Sequence, residues 1–154
     1  VYRYAGCGDL SWRVCVGSDL AVGDSLGPLT GTFLKNCGAY NYVYGDLKNP
    51  ITAKEVNKIS KNIRILHPNS IILVVDAAVG KKEDIGLIKI NQSGIIPGLG
   101  VDKNLSMLGD ISIIAVVSEK QNALNNLSNN TRLNFIYTLS KRISTSIIEY
   151  LKIS

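Results

Sequence analysis

Residues 15–29 read Cys15-Val16-Gly17-Ser18-Asp19-Leu20-Ala21-Val22-Gly23-Asp24-Ser25-Leu26-Gly27-Pro28-Leu29. This segment follows a short apolar run and leads into apolar residues at helical spacing, which is the pattern of a strand, a glycine-bearing turn and a helix. Proline is tolerated in the first turn of a helix, because the N–H group that it lacks has no partner there. The segment therefore predicts a strand–turn–helix unit that carries two carboxylates, Asp19 and Asp24, in its turn.

A third carboxylate, Asp76, follows the apolar run at residues 71–75, which reads Ile-Ile-Leu-Val-Val and is expected to be a strand that ends at this residue. A nearly continuous β-branched run is typical of a strand that is buried on both faces. In open α/β sheets, ligands bind outside the carboxyl ends of the strands. If the two strands are parallel neighbours, Asp24 and Asp76 meet at this edge, where paired carboxylates serve acid–base chemistry or hold a metal.

The rest of the chain alternates between strand and helix patterns. Further strands are predicted at 13–16, 42–44, 86–90 and 111–117, and helices at 25–37, 52–66 and 131–152. The second helix begins with a capping box formed by Thr52 and Glu55. This alternation predicts a single α/β domain over residues 1–154, with three layers and a mainly parallel sheet that has helices on both faces.

Composition excludes several classes of function. The chain has 154 residues, a net charge of +5 and 6% aromatic residues, and it contains no cluster of five or more Lys and Arg. We therefore expect no nucleic-acid partner, and no membrane partner because no apolar run is long enough to cross a bilayer. Three cysteines without a C-x-x-C pair indicate reduced thiols in a cytoplasmic protein, and Cys15 is expected in the core.

Metal and cofactor sites are not expected either. The chain has a single histidine, His67, which excludes a zinc site with several histidines and is expected at the surface, at a helix end. Carboxylates alone favour hard ions such as magnesium or calcium, which are usually held weakly. We therefore predict no cofactor and no tightly bound nickel or zinc.

A third loop, residues 93–103, is rich in glycine and follows a predicted strand. Its free N–H groups are suited to bind a peptide backbone or an oxyanion. The candidate substrate-binding residues are Asp19 and, in this loop, Gly94, Pro97, Gly98, Gly100 and Lys103. We expect one sheet edge to gather this loop with the two that carry Asp24 and Asp76.

Each candidate also has an ordinary structural interpretation. Asp24 stands just before a predicted helix and can be its N-cap. Asp76 can make a structural hydrogen bond to a neighbouring loop, because an unpaired carboxylate is costly at the end of a buried strand. Asp19 can be a simple turn residue, and Lys103 can be a solvated lysine rather than a charge partner for the aspartates.

Three motifs in order carry a family resemblance: Gly-Asp-Ser-Leu-Gly-Pro at 23–28, Asp-Ala at 76–77, and Gly-Ile-Ile-Pro-Gly-Leu-Gly-Val at 94–101. With them the chain resembles the spore germination protease family, above all its short YyaC-like sporulation proteins, and more distantly the hydrogenase maturation endopeptidases. The resemblance spans about residues 13 to 117.

The resemblance implies an aspartate-dependent endopeptidase, with the catalytic carboxylates at Asp24 and Asp76. It also implies a protein or peptide substrate, with a small sporulation-related protein as the expected case, and a location in the cytoplasm, including that of the forespore. The maturation endopeptidases bind nickel with carboxylates and a later histidine, but the third loop here has no histidine. Two alternatives stay open: a catalytically silent peptide-binding sporulation protein, and a metal-dependent endopeptidase of the maturation type.

Overall fold

The structure is a computed structural model that describes residues 12–39, 43–96, 107–120 and 131–153. Its strands and helices, in chain order, are β1 (Trp12–Cys15), α1 (Leu26–Asn36), β2 (Val43–Tyr44), α2 (Val56–Leu66), β3 (Ile72–Gly80), β4 (Ile88–Asn91), β5 (Ile111–Glu119) and α3 (Leu133–Ile153). Short 3-10 turns lie at Gly23–Ser25 and Lys82–Asp84. Among these described residues, no helix is long and apolar enough to cross a membrane.

The strands form one five-stranded sheet in the order β2-β1-β3-β5-β4. The strands β2, β1, β3 and β5 run parallel, and β4 pairs with β5 in the antiparallel sense. Only residues 81–87 join β3 to β4, too few for a crossover to the other end of the sheet, so β4 runs opposite to β3 and to its neighbour β5. The predicted mainly parallel α/β sheet is therefore confirmed, with one short antiparallel strand at its edge.

Helices cover both faces of the sheet, as predicted. On one face, α1 and α3 pack over a core that includes Cys15, Leu26, Val75, Leu139 and Ile143. On the other face, α2 packs over a second core. The buried residues of this second core are Val14, Val16, Ile51, Val56, Ile63, Ile72, Val74, Ile95 and Leu108. We call these the α1/α3 face and the α2 face.

The strand β3 is longer than its sequence predicts. The apolar run was expected to end at Asp76, but β3 continues to Gly80 because its pairing with β5 continues, with a register shift between Ala78 and Val79. The neighbour on the other side, β1, ends at Cys15, opposite Val75. Residues 72–75 are buried, whereas residues 76–80 are partly exposed. Asp76 is therefore the first residue of β3 beyond the end of β1.

Helix α1 lies directly against the ends of the strands because it has glycine at the contacts. A Cβ atom at Gly27 would lie 1.9 Å from the carbonyl oxygen of Val16, and one at Gly31 would lie 1.8 Å from that of Gly45. Any side chain at these positions would push the helix away from the sheet. The glycines thus fix the place of α1 and of the turn that precedes it.

Candidate carboxylate site

The turn between β1 and α1 is held by backbone hydrogen bonds on both sides. The Gly17 N–H donates to the Ile51 carbonyl at 2.9 Å, and the Ser18 N–H donates to the Asp24 carbonyl at 3.1 Å. Gly17 has a φ of +143°, which residues with a side chain rarely adopt. The Asp24 N–H in turn donates to the Ala21 carbonyl at 3.1 Å. These bonds close the turn on itself and bring Asp24 back beside the end of β1.

Asp76 reaches the same region from β3. Its register partner on β5 is Ile114, which packs against the core of the α2 face. Side chains alternate along a strand, so Asp76 lies on the same face as Val74 and Ile114. Its Oδ1 accepts a hydrogen bond of 2.8 Å from the N–H of Ala77.

The two carboxylates interact electrostatically. Burial raises the pKa of Asp76 to about 8, the Ala77 N–H opposes this, and the negative charge of Asp24 raises it further. Burial also raises the pKa of Asp24, and there the Ser18 N–H acts in the opposite direction. Like charges in one site disfavour double ionisation. With a pKa of about 8, Asp76 keeps its proton at neutral pH, and the neighbouring Asp24 favours that state.

The part of the chain that the structure describes gives no support for Asp24 as a helix N-cap. The N-cap of α1 is Ser25, and neither it nor Val22, which precedes the 3-10 turn, makes a side-chain capping bond. Asp24 is therefore not the cap of the helix. Among the described residues, the Asp76 carboxylate accepts its hydrogen bond from the amide of the next residue, Ala77.

Other candidate residues fall into two groups. Asp19 is exposed on the turn, and Gly94 is half-buried. The remaining four, Pro97, Gly98, Gly100 and Lys103, lie outside the described residues.

The described part of the third loop lies elsewhere than expected. Ile95 and Leu108 form an antiparallel bridge with hydrogen bonds of 3.0 and 2.8 Å, and both belong to the core of the α2 face together with Val74. A Cβ atom at Gly94 would lie 2.4 Å from two carbonyl oxygens of this bridge region. The base of the loop thus lies on the α2 face of the sheet, near Val74, which precedes Asp76 by two residues in β3. It does not lie at the carboxyl ends of the strands, where it was expected.

The residues present do not fit the histidine-containing metal set of the maturation endopeptidases. His67 follows α2 and stacks on Trp12 with 3.4 Å between ring centroids, and its Nε2 lies 3.2 Å from the Tyr44 hydroxyl. Trp12 pairs with the first residue of β3, so His67 is at the opposite edge of the sheet from Asp76. Within the described ranges, no group of three or more His, Cys, Asp or Glu is placed to hold a metal.

Two further residues clarify the site. Cys15 is a core residue, as predicted, and burial raises the pKa of its thiol to about 12. It is therefore not a nucleophile at neutral pH. The Ser18 amide, which acts on the Asp24 carboxylate, was not among the predicted site groups. Its position just after Gly17, a residue that permits a sharp turn, was the available indication.

The family model described as "Protein of unknown function (DUF1256)" matches residues 12–146. The chain belongs to this family. The matched range runs from β1 well into α3, and it therefore includes the turn that carries Asp24, the strand that carries Asp76, and all five strands of the sheet.

A curated relative is the uncharacterized protein YyaC of Bacillus subtilis (strain 168), which is 33% identical over 135 residues. The match covers 87% of this chain and 66% of that protein, so the chain spans about two thirds of the relative's length. The predicted likeness to YyaC is thus confirmed.

Among solved structures, the [NiFe] hydrogenase maturation protease HycI from Thermococcus kodakarensis KOD1 is similar, with a TM-score of 0.55 and 19% sequence identity. The match covers 92% of this chain and 93% of that one. At this identity the likeness concerns the fold alone. It agrees with the predicted resemblance to the maturation endopeptidases at the level of architecture.

Proposed function

We propose that this protein is an endopeptidase in which Asp24 and Asp76 activate water for the hydrolysis of a peptide bond. The observation that carries the proposal is the electrostatic interaction of the two carboxylates: the charge of Asp24 contributes to a pKa of about 8 for Asp76. A carboxyl group that keeps its proton beside a second carboxylate is a usual arrangement for an acid and a base. The HycI-like fold supports a peptidase.

The roles of the two groups follow from their protonation. The ionised Asp24 acts as general base and takes a proton from the attacking water, which then bonds to the carbonyl carbon of the scissile peptide. The protonated Asp76 donates its proton to the leaving nitrogen as the carbon–nitrogen bond breaks. The products are a carboxylic acid and an amine, and the step leaves Asp24 protonated and Asp76 ionised. Transfer of one proton from Asp24 to Asp76 restores the starting state.

A polypeptide is the substrate that suits this site best. The exposed Asp19 and the predicted loop residues Pro97, Gly98, Gly100 and Lys103 would contact it, because glycines leave backbone donors and acceptors free for an extended chain. Gly94 is not part of this set, because it packs against the carbonyls of Leu108 and Gly109. The resemblance to the germination proteases favours a small sporulation-related protein as the natural substrate. The same resemblance supports a cytoplasmic location for the activity, including the cytoplasm of the forespore.

Cleavage of a proteome-derived peptide library tests the proposal without knowledge of the substrate. The folded protein is incubated with the library, and newly formed termini are identified by mass spectrometry. We expect cleavage at a defined sequence. If a folded protein binds peptides and cleaves none, the proposal is wrong and the silent peptide-binding alternative replaces it.

A further inference from the structure

One row of side chains crosses the sheet from the candidate site to its edge. Asp76 on β3 is paired with Ile114 on β5, and Ile114 is paired with Lys89 on β4. Residues paired in this way point to the same face of a sheet. The neighbouring pair, Ile88 and Ala115, packs on the α1/α3 face. Lys89 therefore lies on the α2 face, as Asp76 does.

The spacing of this row matches a bound peptide. Asp76 and Lys89 are two strands apart, and strands are about 4.8 Å apart, so their Cα atoms are about 10 Å apart. An extended chain advances about 3.3 Å per residue. A peptide that lies across the row, with its scissile bond at Asp76, therefore brings a residue about three positions away to Lys89.

The ammonium group of Lys89 is accessible. The side chain is 48% exposed, and its ion pair with Asp84 measures 3.9 Å, which is too long for a hydrogen bond. Its N–H donors thus remain available for an acceptor of better geometry, such as a carboxylate.

Building on the proposed peptidase function, we propose that Lys89 determines specificity by binding an acidic side chain of the substrate about three residues from the scissile bond. Ile114 forms the apolar floor between the two charged positions, since it is partly buried in the core of the α2 face. The positive charge of Lys89 favours Glu over Gln and Asp over Asn. The two side chains of each pair have the same shape, so their charge alone accounts for the preference.

Binding to an array of immobilised ten-residue peptides tests the assignment. The peptides come in matched pairs that carry Glu or Gln at one scanned position, so each pair isolates the charge. Exposed ion pairs contribute little, and we accordingly expect the wild-type protein to bind the Glu member about two- to fivefold more tightly at one position. Lys89→Gln removes this preference, and Lys89→Glu reverses it. Lys141→Gln, an equal loss of charge on the exposed side of α3, leaves it unchanged.

The outcomes separate this inference from the proposed function on which it rests. A preference for Glu that persists in Lys89→Glu, or peptide binding with no preference in the wild type, overturns the role of Lys89 alone. Binding that depends on Lys89 without cleavage of the peptide library supports the role of Lys89 and overturns the peptidase. Absence of both binding and cleavage overturns both.

Discussion

The charge of Asp24, on the turn before α1, raises the pKa of Asp76, on β3. The two residues are far apart in sequence and come together because β1 ends one position short of Asp76. The turn that follows β1 then folds back through the hydrogen bond between the Ser18 N–H and the Asp24 carbonyl. The end of β1 at Cys15 and the closed turn after it thus bring the two carboxylates together.

The interaction predicts a shift that can be measured directly. In Asp24→Asn, the pKa of Asp76 falls because a neighbouring negative charge is gone, but it stays above its ordinary value because burial is the larger cause. Carboxyl carbon NMR across a pH titration measures it. The matched control is Glu149→Gln on the exposed side of α3, which leaves the titration of Asp76 unchanged. An identical pKa in Asp24→Asn would show that the two groups do not interact.

Stability should depend on pH through Asp76. Its folded pKa of about 8 lies above the ordinary 3.8, so between these values the unfolded state releases a proton that the folded state retains. The free energy of unfolding therefore falls as pH rises from about 4 to about 8, because the folded state must keep Asp76 protonated. Asp76→Asn has no proton to lose and avoids this loss of stability. The variant should therefore raise Tm more at pH 8 than at pH 5, as measured by thermal unfolding. An equal gain at both values contradicts the raised pKa.

Activity should have a bell-shaped pH dependence. The acid limb reflects protonation of the base, whose pKa is raised by burial, and the alkaline limb reflects loss of the proton that the Asp76 carboxyl holds up to about pH 8. The two apparent pKa values belong to the pair as a unit. The measurement is kcat/KM for a peptide found in the library, and a rate that stays constant from pH 7 to about pH 10 would exclude Asp76 as the acid.

The close approach of α1 to β1 predicts a strong effect of a single methyl group. A Cβ at position 27 would lie 1.9 Å from the Val16 carbonyl oxygen, so Gly27→Ala displaces the helix and lowers the free energy of unfolding by about 3 kcal/mol or more. Asn36→Ala, at an exposed position of the same helix, should change it by less than about 0.5 kcal/mol. Chemical denaturation compares them, and equal stabilities would show that the contact is not tight.

Local patterns were sufficient for most of the fold. The β-branched run before Asp76 and the helical spacing after Ser25 identified the parallel strands and α1, because buried strands and helix starts have strong local chemistry. The antiparallel sense of β4 and the extension of β3 to Gly80 were not predicted. Both depend on which strands become neighbours, and pairing with a distant strand leaves no local pattern.

Local patterns also predicted part of the candidate site. The nearness of Asp24 and Asp76 follows from two adjacent parallel strands, which their apolar runs indicated. The place of Lys89 was not foreseen, because it depends on the register of three strands. The base of the third loop was misplaced, since its bridge between Ile95 and Leu108 is a long-range contact. The likeness to germination proteases, and with it the substrate, stays a prediction.

The central claim is that Asp24 and Asp76 together hydrolyse peptide bonds, and the cleavage of the proteome-derived peptide library by matched variants tests it most directly. We predict a defined set of cleaved sequences for the wild type and for Glu149→Gln, and loss of that set in both Asp24→Asn and Asp76→Asn. Circular dichroism verifies that all four proteins are folded. Cleavage that continues at the wild-type rate in either aspartate variant would contradict the account.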